Sequence, residues 1–215
     1  LGVGFKNNEC TYISGCSWTN NGIDYSDFFF DSIEECEQNC YQSQCQEGYI
    51  ENNGLCFHYG DISIIQEMID NSYESNIELP CNEYDSQYCG SPNPYMDSSD
   101  SWMWVAVDGN TYQWTPNENG VVDPLELGIQ EWENGRLTSL MCGAYIYCEL
   151  SGPIPYEINT LTELKTFRVE GNYFSGIIPE TICDLDIDYD NMLEFDVRYN
   201  QLCEPYPYCI DNNDD

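Results

Sequence analysis

The last third of the chain repeats its own sequence, and this repeat constrains the fold more than any other feature. Residues 137–155 align without a gap on residues 161–179, at a spacing of 24. Self-similarity at about 20–29 residues is typical of stacked units, each of which contributes one strand to a parallel sheet. A third, degenerate copy follows at a spacing of 28, in which Phe195, Val197, Asn200 and Leu202 match Phe167, Val169, Asn172 and Phe174.

The repeat follows the pattern L-x-x-L…N-x-L-x-G-x-I-P. This pattern resembles the extracellular, plant-type leucine-rich repeats of receptor ectodomains, polygalacturonase-inhibiting proteins and secreted microbial repeat proteins. The resemblance covers residues ~46–211 and is clearest over 137–211. It implies an α+β fold, in which a small disulfide-rich N-terminal module precedes a short, capped leucine-rich-repeat solenoid with a parallel sheet.

Three segments follow from this organisation. Residues 1–45 form a disulfide-rich module, residues 46–136 an N-terminal cap region with a helix and a hairpin, and residues 137–215 about three repeats with a disulfide cap. In the cap region, Asp61 is expected to cap a helix that Asn71 ends, because an apolar stripe lies between them. The hairpin is expected over 102–114, with its turn at Asp108-Gly109. By resemblance, residues 125–132 belong to the N-terminal cap, and residues 200–210 resemble the C-terminal disulfide cap of secreted microbial members.

The thirteen cysteines indicate an oxidised, disulfide-rich protein. Cys148 falls on the repeat position that holds Asn172 and Asn200 in the other copies, a buried ladder site at which the family's asparagine bonds the backbone. Cys148 is therefore predicted to be the unpaired thiol, and an inter-subunit disulfide is the alternative. Twelve cysteines then remain for bridges of unknown pairing: Cys10, Cys16, Cys36, Cys40, Cys45, Cys56, Cys81, Cys89, Cys142, Cys183, Cys203 and Cys209.

A second, partial resemblance lies near the N-terminus. Residues 28–40 resemble the C-terminal end of Kunitz inhibitor domains, with a helix that begins at a capping box of Ser32 and Glu35. The family's first half and its protease-binding loop have no counterpart, so the resemblance implies a stapled module and not protease inhibition. On this helix Cys36 and Cys40 are poorly placed to bridge each other, which makes Cys10 and Cys16 the candidate partners.

The charge balance limits the partners. Five Lys and Arg against 39 Asp and Glu give a formal net charge of −34, which repels phosphate backbones and anionic lipids, so we predict neither nucleic-acid binding nor membrane contact. No apolar run approaches the ~18 residues of a membrane span, which excludes membrane insertion. The chain is expected to be the mature part of a secreted protein at the cell surface or outside the cell. No Asn lies in an N-x-[ST] sequon, which leaves aromatic surface unshielded.

Four charged residues occupy the predicted concave face of the sheet. The repeat alignment puts Arg168 beside Asp196, in a column with Ala144, and Glu170 beside Arg198. We therefore expect two cross-strand ion pairs, each contributing roughly a few tenths of a kcal/mol. These four residues are the candidate binding residues, although a face that neutralises itself and spans three repeats offers little area for a partner.

Catalytic and metal-binding residues are poorly represented. The single histidine, His58, lies near Cys56 and is predicted to be a solvated loop residue rather than part of a Cys–His nucleophile. Four alternating aspartates over 184–190 resemble a Ca²⁺ loop, but Tyr189 and Phe195 stand where such a loop needs Gly and Glu. Zinc at the cysteines of 36–45 is disfavoured in an oxidised chain. No catalytic residue, metal site or cofactor is predicted, and Ca²⁺ is expected only as diffuse counterions.

The aromatic residues and the self-neutralised sheet face together favour a structural function. Five Trp and 18 Tyr suit a core or a protein interface better than a sugar site. The sequence predicts a non-enzymatic subunit of an extracellular or cell-surface assembly that polymerises with copies of itself. The alternative is a secreted recognition or inhibitor module that binds an extracellular protein or glycan.

Overall fold

The computed structural model describes residues 2–6, 9–13, 19–20, 23–24, 30–33, 36, 45–79, 88–143 and 145–210. The chain divides into two compact units, Leu1–Glu47 and Gly48–Asp215. The division lies close to the boundary expected after residue 45. The second expected boundary, after residue 136, falls within a strand, so the cap region and the repeats belong to one unit.

The first unit contains two small antiparallel sheets. Its strands are β1 (Gly2–Lys6), β2 (Glu9–Ile13), β3 (Thr19–Asn20) and β4 (Ile23–Asp24), paired β1 with β2 and β3 with β4. A disulfide joins Cys10 to Cys36, as expected for Cys36. The Cys36 N–H donates to the Ser32 carbonyl, which agrees with a helical turn at the predicted helix start. Glu35, Cys40 and Cys16 lie outside the described residues.

The second unit consists of one long helix and eleven described strands. The helix is α1 (Tyr59–Ser75). The strands are β5 (Tyr49–Asn52), β6 (Leu55–His58), β7 (Trp104–Val107), β8 (Asn110–Gln113), β9 (Ile129–Glu133), β10 (Arg136–Met141), β11 (Ser151–Gly152), β12 (Thr166–Arg168), β13 (Tyr173–Ile177), β14 (Phe195–Asp196) and β15 (Gln201–Cys203).

Each repeat copy contributes a strand to each of two parallel arrangements. Strands β10, β12 and β14 pair in parallel, as the repeat predicts, and continue through β9, β7 and β8 into a six-stranded sheet of order β14-β12-β10-β9-β7-β8. The second sheet has the order β11-β13-β15. Short 3-10 helices at Tyr156–Thr160 and Glu180–Asp184 follow the prolines of the first two copies. Apolar side chains of the repeats, including Leu140, Phe167 and Phe195, form the core between the two sheets.

The register of the first copy differs from the repeat alignment. Phe167 lies opposite Phe195 and Arg168 opposite Asp196, as expected. Arg168 lies opposite Met141, however, and not Ala144, which is outside the described residues. The loop that follows Met141 is longer than the corresponding loop of the second copy. A sequence alignment without gaps therefore assigns the wrong strand partner to this position.

Helix α1 is longer at both ends than expected. His58, in extended conformation, precedes its first turn, and Asn76 in left-handed conformation (φ 48°) ends it. Asn71 therefore lies inside the helix, and the expected stop there is wrong. The apolar stripe is buried as predicted, with Ile65, Met68 and Ile69 fully inaccessible, because residues at helical spacing share one face.

Helix α1 packs on the first strand of the second sheet through serine hydroxyls. The Ser72 Oγ accepts from the Ser151 backbone N–H at 2.9 Å, and the Ser75 Oγ lies 2.7 Å from the Ser151 Oγ. The helix therefore lies against the edge of β11 that has no strand paired to it among the described residues.

The hairpin expected around Asp108-Gly109 is confirmed. Strands β7 and β8 pair antiparallel, with Val107 opposite Asn110. Asp108 (φ 50°) and Gly109 (φ 77°) both have positive φ, as the turn between two tightly joined strands requires.

The disulfides correct the assignment of the free thiol. Cys148 bonds to Cys142, and Cys183 bonds to Cys209. Among the described residues the free cysteine is Cys203, which is exposed, so the predictions of an unpaired Cys148 and a bridged Cys203 are both wrong. The loop after β10 turns back on itself and brings the Cα atoms of Cys142 and Cys148 to 5.4 Å, within bonding range. Cys45, Cys56 and Cys89 are also disulfide-bonded, whereas Cys81 lies outside the described residues.

Several disulfides are typical of proteins in oxidising, extracellular surroundings. No helix in the described part of the chain is both long enough and apolar enough to cross a membrane.

Candidate functional site

The ladder asparagines hold the turns of successive repeats together. Asn172 donates through Nδ2 to the carbonyls of Cys142 (2.6 Å) and Val169 (2.9 Å), and its Oδ1 accepts from Leu150 N–H. Asn200 repeats this arrangement one copy later, with its Oδ1 accepting from Phe174 N–H. Both asparagines therefore bond backbone groups of their own copy and of the copy before it. At the first copy the equivalent residue of the repeat alignment, Cys148, is disulfide-bonded to Cys142.

The charged cluster on the six-stranded sheet consists of Arg168, Glu170, Asp196 and Arg198. Each ion pair joins two residues that are two positions apart in the sequence, whereas the repeat alignment predicted pairs between neighbouring strands. Arg168 donates to Glu170 Oε1 at 2.5 Å, and Arg198 donates to both Asp196 carboxylate oxygens at 2.9 and 2.6 Å. Residues two apart on an extended segment share a face, so in each pair a residue at the end of a strand, Arg168 or Asp196, reaches the charged residue two positions further along the chain.

Burial and charge set the ionisation of the second pair. Burial raises the pKa of the Asp196 carboxyl, but the hydrogen bonds from Arg198 and the charges of Arg198 and Arg168 together lower it by more, so the pKa of Asp196 lies below its ordinary value. The same carboxylate raises the pKa of the Arg198 guanidinium. Asp196 is buried while the Arg198 side chain is 56% exposed, so the pair presents its cation to solvent.

The Glu170 carboxylate lies against the backbone of Gly143. A Cβ added at Gly143 would clash with the Glu170 carboxylate, so a larger residue there would displace the acid from its present position. This contact places Glu170 beneath the loop that the Cys142–Cys148 disulfide closes. The first ion pair is therefore largely covered, and it is poorly available to a ligand.

An apolar groove adjoins the exposed Arg198, and we call it the terminal groove. Its volume is about 240 Å³, and its apolar lining comes from Ile178, Val197, Tyr199, Leu202, Tyr206 and Ile210. Arg198 is the one charged residue in the described lining. The groove lies at the last repeat, where no further described strand pairs with β14 or β15.

The opposite edge of the six-stranded sheet is the β7–β8 hairpin, which we call the hairpin edge. All four residues of β8 are exposed, including Tyr112 at 40%. Acidic residues lie nearby, with Asp108 in the turn and Glu131 exposed on β9, opposite Ala106 of β7. This edge is therefore aromatic and acidic.

The tryptophans divide between core and surface. Trp114 and Trp132 are buried and pack edge-on against Phe57, whereas Trp102 is 51% exposed. Trp18 lies outside the described residues.

His58 is not the solvated loop residue that the sequence predicts. It ends strand β6, its Nδ1 lies 3.0 Å from Asp61 Oδ1, and its ring packs edge-on against Tyr49. Its neighbour Cys56 is disulfide-bonded, so this cysteine offers no thiolate for a nucleophile pair. His58 therefore supports the start of helix α1.

Metal-binding side chains do not converge in the described residues, where no group of three or more His, Cys, Asp or Glu is placed to hold an ion. In the acidic segment that follows the second copy, Asp186 forms an exposed ion pair with Lys165. Asp188 instead accepts a hydrogen bond from the Asp190 backbone N–H. Cys36 and Cys45, considered above for zinc, are disulfide-bonded.

Comparisons with protein-family models, curated proteins and solved structures find no match for this chain.

The terminal groove is the feature that sequence reasoning missed. Its residues come from the second copy, the third copy and the closing segment, so no single motif encodes it. The exposed aromatic residues of the closing segment, Tyr199, Tyr206 and Tyr208, were its available signal.

Proposed function

We propose that this protein is a secreted leucine-rich-repeat subunit of an extracellular or cell-surface assembly, which polymerises through protein–protein contacts and has no enzymatic activity. The observation that carries the proposal is the terminal groove, an apolar and charge-poor surface formed by the last repeat and the closing segment.

Electrostatics explains why such a surface matters. A chain with a formal charge of −34 repels its own copies, and this repulsion is weakest where an interface contains aromatic side chains and few charges. The terminal groove meets that condition, because its one charged lining residue is a cation whose counter-ion, Asp196, is buried beside it.

The leucine-rich-repeat assignment rests on the repeat pattern and on the asparagine ladder. Asn172 and Asn200 make equivalent backbone bonds one copy apart, and the three copies pair in parallel. Stacked units of this kind leave an apolar surface at their last member, which must be capped or bound.

The first prediction concerns molar mass. Light scattering on the full chain at neutral pH and physiological salt should give a species many times heavier than the 24.8 kDa chain. The mass should rise with added salt, since screening reduces repulsion between acidic copies. A sharp monomer at every salt and Ca²⁺ concentration would contradict the proposal and favour the recognition-module alternative.

A further inference from the structure

We propose that the terminal groove of one copy receives the hairpin edge of a second copy, so that the chains join head to tail. The inference rests on the proposed assembly function and specifies its interface. The hairpin edge is the β8 end of the six-stranded sheet, and the groove is lined by residues that follow β14, the strand at the other end of that sheet, and by Leu202 of β15.

Charge complementarity selects a second copy as the occupant. The groove is apolar and carries the exposed Arg198 guanidinium, one of only five basic residues in the chain. Nε and Nη2 of Arg198 bond the buried Asp196, and the side chain remains 56% exposed, so an occupant that complements the groove supplies an aromatic side chain and a further carboxylate. The hairpin edge supplies both, as the exposed Tyr112 and the exposed Asp108.

The topology makes this contact open-ended. A contact between two different surfaces of the same chain is heterologous, and it generates a filament unless the rotation closes a ring. In the described residues neither outer edge of the sheet is paired within the chain. The edges are also short, with two residues in β14 and four in β8, so side-chain insertion rather than a long backbone ladder provides the contact.

The test uses one variant at each end. In the groove, Tyr199→Asp replaces a side chain that is 80% exposed and has positive φ, where Asp is well tolerated. At the hairpin edge, Tyr112→Ala removes the exposed aromatic side chain and adds no carboxylate that Arg198 could bind. Tyr145→Asp is the matched control, because Tyr145 is 84% exposed and belongs to neither surface.

Each end variant alone should lower the molar mass in light scattering to that of one chain, while Tyr145→Asp should assemble like the unmodified protein. An equimolar mixture of the two end variants should form dimers, with twice the mass of one chain. Each variant retains one intact surface, and one contact between them leaves no intact pair for extension. Circular dichroism and urea unfolding midpoints equal to those of the unmodified protein show that the variants are folded.

The alternative outcomes separate the two proposals. If the unmodified protein assembles and both end variants still assemble, the interface lies elsewhere and the head-to-tail inference is overturned, although the assembly function stands. If Tyr199→Asp abolishes assembly while Tyr112→Ala has no effect, the groove contacts a surface other than the hairpin edge, which also overturns the inference. A monomeric unmodified protein would overturn the assembly function itself.

Discussion

Asp61 shows how one buried carboxylate joins helix α1 to strand β10. Its oxygens accept from Arg136 Nε and Nη2 at 2.8 and 2.9 Å and from the Leu137 backbone N–H at 2.9 Å. The sequence predicts that this aspartate caps the helix, but in the structure it bonds a different element, strand β10. Arg136 is far from Asp61 in the sequence, so local sequence patterns do not predict the contact. At the residue scale, the contacts that hold the repeats to their preceding region are therefore non-local.

Asp61→Asn should lower the free energy of unfolding by about 3–5 kcal/mol, because it leaves the largely buried Arg136 without its counter-charge. Asp186→Asn is the control. It breaks the exposed Lys165–Asp186 pair and should leave stability unchanged within error. Urea unfolding at pH 7, followed by tryptophan fluorescence without reductant, measures both variants. Equal losses would contradict the structural role of Asp61.

At the element scale, the asparagine ladder sets the spacing of the repeats. Asn172→Ala should destabilise the protein by about 2 kcal/mol or more, because the Cys142 carbonyl and the Leu150 N–H lose their partner and each costs about 1–3 kcal/mol. Asn200→Ala removes equivalent bonds at the half-buried last copy and should cost less, since water can replace the side chain. Urea unfolding midpoints compare the two variants, and a greater loss for Asn200→Ala would reverse this order and contradict the account.

Elements encoded by short, regular spacing were predictable from the sequence. The apolar stripe of α1, the Asp108-Gly109 turn and the parallel pairing of the copies all follow from local patterns. Three features were not predictable in this way, namely the Cys142–Cys148 bond, the residue of β10 that lies opposite Arg168, and the terminal groove. Each depends on the path of a loop whose length differs between the copies. The repeat alignment contains no information about that path.

At the scale of the whole molecule, the six-stranded sheet of the second unit has two chemically different ends, in a chain that is otherwise acidic. One end is apolar and presents Arg198, and the other is aromatic and acidic. The net charge of −34 disfavours contact between copies over most of the surface, so these two ends are the favoured sites of contact. The free Cys203 lies at the end of β15, beside the groove residue Leu202, so thiol labelling there reports on occupation of this end.

Direct imaging of the full chain tests the assembly most directly. Negative-stain electron microscopy at neutral pH and physiological salt should show unbranched filaments, which Tyr199→Asp abolishes and Tyr145→Asp preserves. Filaments that persist unchanged in Tyr199→Asp would place the contact outside the terminal groove. A field of isolated particles, each the size of one 24.8 kDa chain, would contradict the account that this protein is built to polymerise.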